Sequence, residues 1–209
     1  MGTVGRRSRR WLSSVLVLGV IGSLTACSGG GGEGCGGQED IISCVSITNV
    51  QPTATAGGET SDVDVVFNPD CDADPTTDDP EPFTAHDAVF TFSNQAHPNA
   101  SGSLDVTLQH VRITYNPTNC PVAAICPPLS EISQDVSLVI PEDTTGVTET
   151  FPLVPLSTKN EFIALGGSAN AFPSYTASYI FTARTLSFSD TFTIEGSVNF
   201  VLGNFNLCQ

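Results

Sequence analysis

Residues 192–202 read FTIEGSVNFVL. Phe192, Ile194, Gly196, Val198, Phe200 and Leu202 share one parity, and Thr193, Glu195, Ser197 and Asn199 share the other. An apolar residue at every second place marks a strand with one face on a core and the other in water. The same period recurs along the chain. Val63, Val65 and Phe67 alternate with Asp62, Asp64 and Val66. Ala88, Phe90 and Phe92 alternate with Asp87, Val89 and Thr91, and Tyr175, Ala177, Tyr179 and Phe181 with Thr176, Ser178, Ile180 and Thr182. Val136, Leu138 and Ile140 give a fifth run.

Two stretches break the rhythm. In residues 104–115, Val106 and Leu108 share one parity while Val111, Ile113 and Tyr115 share the other. One extra residue near Gln109 or His110 restores a single buried face, so the slip predicts a β-bulge, or else a corner between two shorter strands. Residues 151–156 (FPLVPL) are apolar but twice interrupted by proline, which cannot donate to a ladder. They read as an edge strand or a loop crossing the rim. No window of helical length after residue 27 shows amphipathic spacing, so no helix is expected.

Clusters of Pro, Asn, Asp, Gly and Ser separate the runs, at residues 52–61, 68–82, 94–103 and 116–129. Seven to nine strands with turns between them predict an all-β chain, an antiparallel Greek-key β-sandwich with long loops. This pattern resembles immunoglobulin and fibronectin-like domains, and also the sandwich domains that close uncharacterised bacterial lipoproteins. Such domains run to about 100 residues, so either one sandwich with long loops fills residues 39–209 or two small ones are stacked. No second flexible linker appears mid-chain, which favours one.

Residues 1–26 read as a leader. Arg6, Arg7, Arg9 and Arg10 precede a 14-residue apolar stretch at residues 11–24 (WLSSVLVLGVIGSL). That is short of the roughly 20 residues a spanning helix needs, and it fits a signal peptide. Leu24-Thr25-Ala26-Cys27 resembles the bacterial lipobox. That resemblance implies cleavage before Cys27, lipidation of Cys27 (palmitate among the chains) and anchoring outside the cytoplasm, in an outer membrane where the organism has one. Residues 27–38 then form the lipidated end and a Gly-rich tether.

The formal net charge is −15, and loss of the leader removes four of the seven basic residues and no acidic one. Only Arg112, Lys159 and Arg184 remain. Such a surface repels nucleic acid, which is excluded as a partner, and favours cations or basic proteins. Cys35, Cys44, Cys71, Cys120, Cys126 and Cys208 make an even set beside Cys27. In an oxidising compartment they are expected to form disulfides. Cys120 and Cys126 flank a five-residue loop and are the first pair to expect, while the remaining pairings stay open.

The acidic stretch 68–82 (NPDCDADPTTDDPEP) offers the one candidate ion site. With Asp70 as position 1, Asp72, Asp74, Thr76, Asp78 and Glu81 fall at 3, 5, 7, 9 and 12. This spacing resembles the calcium loop of EF-hands, and alternating oxygens suit a hard cation. Pro75 stands where that loop has glycine, and no helix is expected on either side. The bland alternative is a solvated acidic loop. His86, His97 and His110 are not at ligand spacing, and Gly166-Gly167-Ser168-Ala169-Asn170 lacks the second glycine of a hydrolase elbow. No catalytic residue is assigned. The expected function is non-enzymatic: an envelope-anchored module that binds a protein partner. A calcium-dependent adhesion module is the alternative, and a hydrolase or carbohydrate-binding protein built from distant loops ranks third.

Overall fold

The computed structural model describes residues 43–53, 61–71, 80–97, 100–185, 191–205 and 207. The leader, Cys27, the tether, Cys35 and Cys208 lie outside these residues. In chain order the elements are β1 (Ser43–Pro52), β2 (Asp62–Asp64), β3 (His86–Ala96), β4 (Val106–Asn119), β5 (Ile132–Ile140) and β6 (Thr144–Val154). A helix α1 (Leu156–Ala164) and a single 3₁₀ turn (Ala169–Ala171) follow, then β7 (Ser174–Thr185) and β8 (Thr191–Gly203). They form two sheets, of order β1-β3-β6 and β2-β8-β7-β4-β5. Every pairing is antiparallel except β2 with β8, which is parallel. The chain is therefore mostly β, as the period of two requires.

The alternating residues become the inner faces of the two sheets. Tyr175, Ala177, Tyr179, Phe181 and Ala183 of β7 are buried, and Ala88, Phe90 and Phe92 of β3 face them from the other sheet. The centre is an aromatic cluster. Phe90 meets Tyr179 at 4.5 Å, Phe181 at 5.3 Å and Phe151 at 5.6 Å, all edge-on. Burying each such side chain stabilises the fold by roughly 1.5–3 kcal/mol. Gly196 holds a place in the apolar parity of β8 because a Cβ there would lie 2.8 Å from Ile47 Cδ1 and 3.1 Å from Phe90 Cε1.

The slip in residues 104–115 is a bulge. β4 runs unbroken, and its register shifts between Leu108 and His110 against both neighbours: Gln109 is the extra residue against β7, while against β5 Val136 and Ser137 face it. The proline-interrupted stretch ends β6, an edge strand, where Pro152 removes no ladder bond from a neighbour on the open side. β2 is shorter than residues 63–67 suggest. It has only the end of β8 beside it, and after Val65 N–H bonds Gly203 O (2.9 Å) no partner continues the ladder.

The helix α1 corrects the expectation of none. Its buried residues are Thr158, Lys159 and Phe162. Two of the three are polar, so the inward face carries no apolar period to read. Pro155 precedes it, and Gly166 at φ 78° lies just beyond its end, where a left-handed residue suits glycine.

The strands define two poles. Ser43 pairs with Ala96, and its Oγ accepts from Leu104 N–H (2.6 Å). Asn94 Nδ2 there donates to the carbonyls of Leu104, Ile140 and Pro141 (2.8, 3.2 and 3.1 Å). This is the entry pole, where the described chain begins. At the far pole His86 pairs with Val154, and Asn119 and Val201 both pair with Ser174. Residues 65–71 and 80–85, the 120–131 loop, α1 and the 3₁₀ turn all gather at the far pole.

Candidate functional site

Beneath the far pole four ionisable side chains are buried together. Asp64 ends β2, Glu81 lies in the approach to β3, His86 opens β3, and Lys159 sits on α1. Their relative exposures are 1%, 4%, 1% and 1%, so water screens none of them. Asp64 Oδ1 accepts two backbone N–H groups, from Val66 (3.3 Å) and Phe205 (3.0 Å). Asp64 Oδ2 is buried without a hydrogen-bond donor among the described residues. Glu81 Oε1 accepts from Asn68 N–H (2.6 Å), while Glu81 N–H donates to Asn68 O (3.1 Å). Lys159 Nζ lies 4.4 Å from the centre of the Phe83 ring, an attractive cation–π placement.

Burial shifts the titrations of Asp64, His86 and Lys159 toward their neutral forms. Asp64 is raised to about 6, by desolvation first and by the adjacent Glu81 carboxylate, against two backbone donors. Lys159 is lowered to about 8 by desolvation, opposed by the charges of Asp64 and Glu81. His86 is lowered to about 4 by desolvation and by Lys159, opposed by backbone hydrogen bonds at Asp62 and Thr84. A buried amine, a buried carboxyl with one orphaned oxygen and a second carboxylate beside it form the densest chemistry among the described residues.

The sequence-predicted ion site is only partly described. Asp70 is exposed at the start of the loop, while Asp72, Asp74, Thr76 and Asp78 lie outside the described residues. Glu81, read as the last ligand, turns inward to Asn68 and Asp64. Among the described residues no group of three or more His, Cys, Asp or Glu is arranged to hold a metal. Sequence reading missed Asp64, His86 and Lys159 as a unit. They come from three separate elements, and Asp64 shares the parity of Asp62, opposite Val63 and Val65, so locally it reads as solvent-facing.

Cys120 and Cys126 form a disulfide with Cα atoms 6.0 Å apart. Cys44 and Cys71 are also disulfide-bonded. The Cys120–Cys126 loop is a tight turn. Ala124 N–H bonds Pro121 O (2.9 Å), Ala123 has φ 69°, and Val122 at its tip is fully exposed. Ser168 fastens it to the end of α1, taking Ile125 N–H on its Oγ (2.9 Å) and donating its own N–H to Ile125 O (3.0 Å). Ile125, Ile163 and Leu165 are exposed beside that junction.

A second constellation stands on the outer face of the larger sheet. His110 Nδ1 contacts Asp135 Oδ1 (3.1 Å) and His110 Nε2 contacts Ser133 Oγ (2.9 Å). The order is that of a hydrolase relay, but the Asp135 side chain is 99% exposed. Water then screens the carboxylate that a relay needs buried to orient its histidine. The three side chains instead pin the Gln109 bulge across β4 and β5.

No family model matches the chain, and a search of curated proteins found no match. Among solved structures, a protein from Archaeoglobus fulgidus is similar over 75% of this chain and 97% of its own, at 10% identity and a TM-score of 0.36. A likeness of that size carries no argument about fold or function.

Proposed function

We propose that the chain is an exported lipoprotein, anchored through Cys27 in the cell envelope, whose far pole binds another extracytoplasmic protein without catalysing a reaction. One observation carries this reading. The described chain enters at the pole marked by Ser43, while the disulfide-closed turn, α1 and the two ends of the acidic run, Asn68 and Glu81, gather at the opposite one. A tether ahead of Ser43 would hold that far pole away from the membrane. The acidic surface favours a basic partner, and Val122, Ile125, Ile163 and Leu165 offer it an apolar centre.

We read the fold as an immunoglobulin-like Greek key. The order β8-β7-β4-β5 corresponds to strands G-F-C-C′ of a variable-type domain, and β3 beside β6 to strands B and E. The aromatic cluster around Phe90 fills the space that antibody domains give to a disulfide and a tryptophan.

Two experiments test the proposal. Cys27→Ser should release the protein from membranes into the soluble extract and abolish labelling by a palmitate analogue. A photo-crosslinker placed at Val122 in cells should give a discrete adduct, and the same group at Gly102, on the entry pole, should give none. Equal adducts from both poles would remove the far-pole reading.

The calcium reading, with Asp70, Asp72, Asp74, Thr76, Asp78 and Glu81 around one ion, has one observation in its favour. The Asn68–Glu81 bonds bring the two ends of the acidic run together, as a wrapping loop requires. It predicts that millimolar Ca²⁺, and not Mg²⁺, raises the melting temperature by mass action.

A further inference from the structure

Asp64 is arranged as an acyl group. Two backbone N–H groups converge on Oδ1, from Val66 and Phe205, as donors do around a developing oxyanion. Oδ2 is buried and receives no donor among the described residues. Glu81 lies beside the same carboxyl and is itself 4% exposed. Lys159 brings a buried primary amine on the face of Phe83, and no carboxylate oxygen among the described residues is in ion-pair contact with it. The amine is thus enclosed but not tied down, on a stem of four methylenes.

We propose that Lys159 Nζ and Asp64 Cγ condense to an intramolecular isopeptide bond, with Glu81 carrying the proton. The lone pair of the neutral amine attacks Cγ of the protonated carboxyl. Negative charge gathers on Oδ1, under the N–H groups of Val66 and Phe205. Glu81 takes one proton from the attacking nitrogen and delivers it to the Oδ2 hydroxyl, which leaves as water. The Nζ–Cγ bond forms, the Cγ–Oδ2 bond breaks, and the amide keeps one hydrogen, so no oxidant or further reactant is required. The downward shift of the amine and the upward shift of the carboxyl populate the neutral forms that this step consumes. Condensation also removes a cation and an anion from a site where each is costly to keep. The product ties β2 to α1, and with them the base of the acidic loop to the far pole, by a link that reductants do not open. This inference does not depend on the binding role proposed above.

Peptide mapping of the full chain decides it. After reduction and trypsin digestion, the wild-type protein should show no cleavage after Lys159. The peptide ending at Arg112 should be joined to the one that carries Lys159, and the pair should be one water lighter than the sum of its parts. Asp64→Ala should restore cleavage after Lys159, and Lys159→Met should release the Arg112 peptide at its full mass. Glu81→Gln, which keeps the shape of the side chain, should lose the joined species while circular dichroism still reports the β fold. Cleavage after Lys159 together with separate peptides, from natively folded wild-type protein, would overturn the bond. Full joining in folded Glu81→Gln would overturn the part given to Glu81.

Discussion

His86 is held neutral by its surroundings, and that has a measurable consequence. Its pKa falls from the ordinary 6.5 to about 4 because burial and the Lys159 charge disfavour the imidazolium. Between those values the unfolded chain takes up a proton that the folded one refuses. Stability is then fully present above pH 6.5 and is lost as pH falls to 4, by about 3 kcal/mol in all. A free Asp64, raised to about 6, works in the opposite sense, adding stability as pH falls from 6 to 3.8. With the isopeptide bond formed, the Asp64 contribution and the Lys159 charge both vanish, and the His86 slope that burial alone produces remains, shallower but of the same sign. Denaturant midpoints recorded from pH 7 to 4 should therefore fall steadily in the wild type and much less in His86→Gln. A second residue-scale test concerns Tyr115, whose buried hydroxyl donates to Leu153 O (2.7 Å). Tyr115→Phe leaves that carbonyl unpaired and should cost about 1–2 kcal/mol in urea denaturation.

Among the elements, the turn after α1 leaves no space for a side chain at Gly167. A Cβ on Gly167 would come within 2.5 Å of the Phe162 ring, which is fully buried and has no room to retreat. Gly167→Ala should destabilise the protein by about 1–3 kcal/mol, while Gly146→Ala, with nothing within 4 Å, should leave the melting temperature almost unchanged. At the entry pole, the Asn94 amide ties β3 to the segment before β4 and to the turn after β5. Asn94→Leu strands three carbonyls at once and should cost about 2–4 kcal/mol by calorimetry, more than the loss of any one of the bonds. Of these elements, β3, β7 and β8 were plain from the period of two, because each buries one face along its whole length. The bulge at Gln109 was visible as a parity slip, although the corner reading predicted the same slip. β4 stays one strand, paired with both neighbours on either side of the register shift at Gln109; that separates the two readings, and register is a property of partners. α1 was invisible for a different reason: its buried face is Thr158, Lys159 and Phe162, and the lysine belongs to the ionisable cluster.

At the scale of the molecule, polarity of construction matters most. Residues 43–205 place the chain's entry at one end and its exposed apolar turn at the other. That separation suits a module on a tether, and it makes the Cys120–Cys126 loop the place to probe for a partner. Mild reduction should open this exposed disulfide first and weaken partner capture at Val122 while leaving the β signal in circular dichroism intact. The amino-acid sequence by itself determined the all-β class, the strand parities, the cysteine pair closing the 120–126 loop and the acidic character. Each of these is written in residues adjacent or nearly adjacent in the chain, where periodicity, spacing and charge are local properties. Only the tertiary structure decided which strands share a sheet, which pole gathers the loops, and that Asp64, Glu81, His86 and Lys159 meet out of water. Those side chains lie on β2, a loop, β3 and α1, and nothing local links them. The shifted titrations of Asp64, His86 and Lys159 arise from burial, and burial exists only once the two sheets and the helix have closed over them.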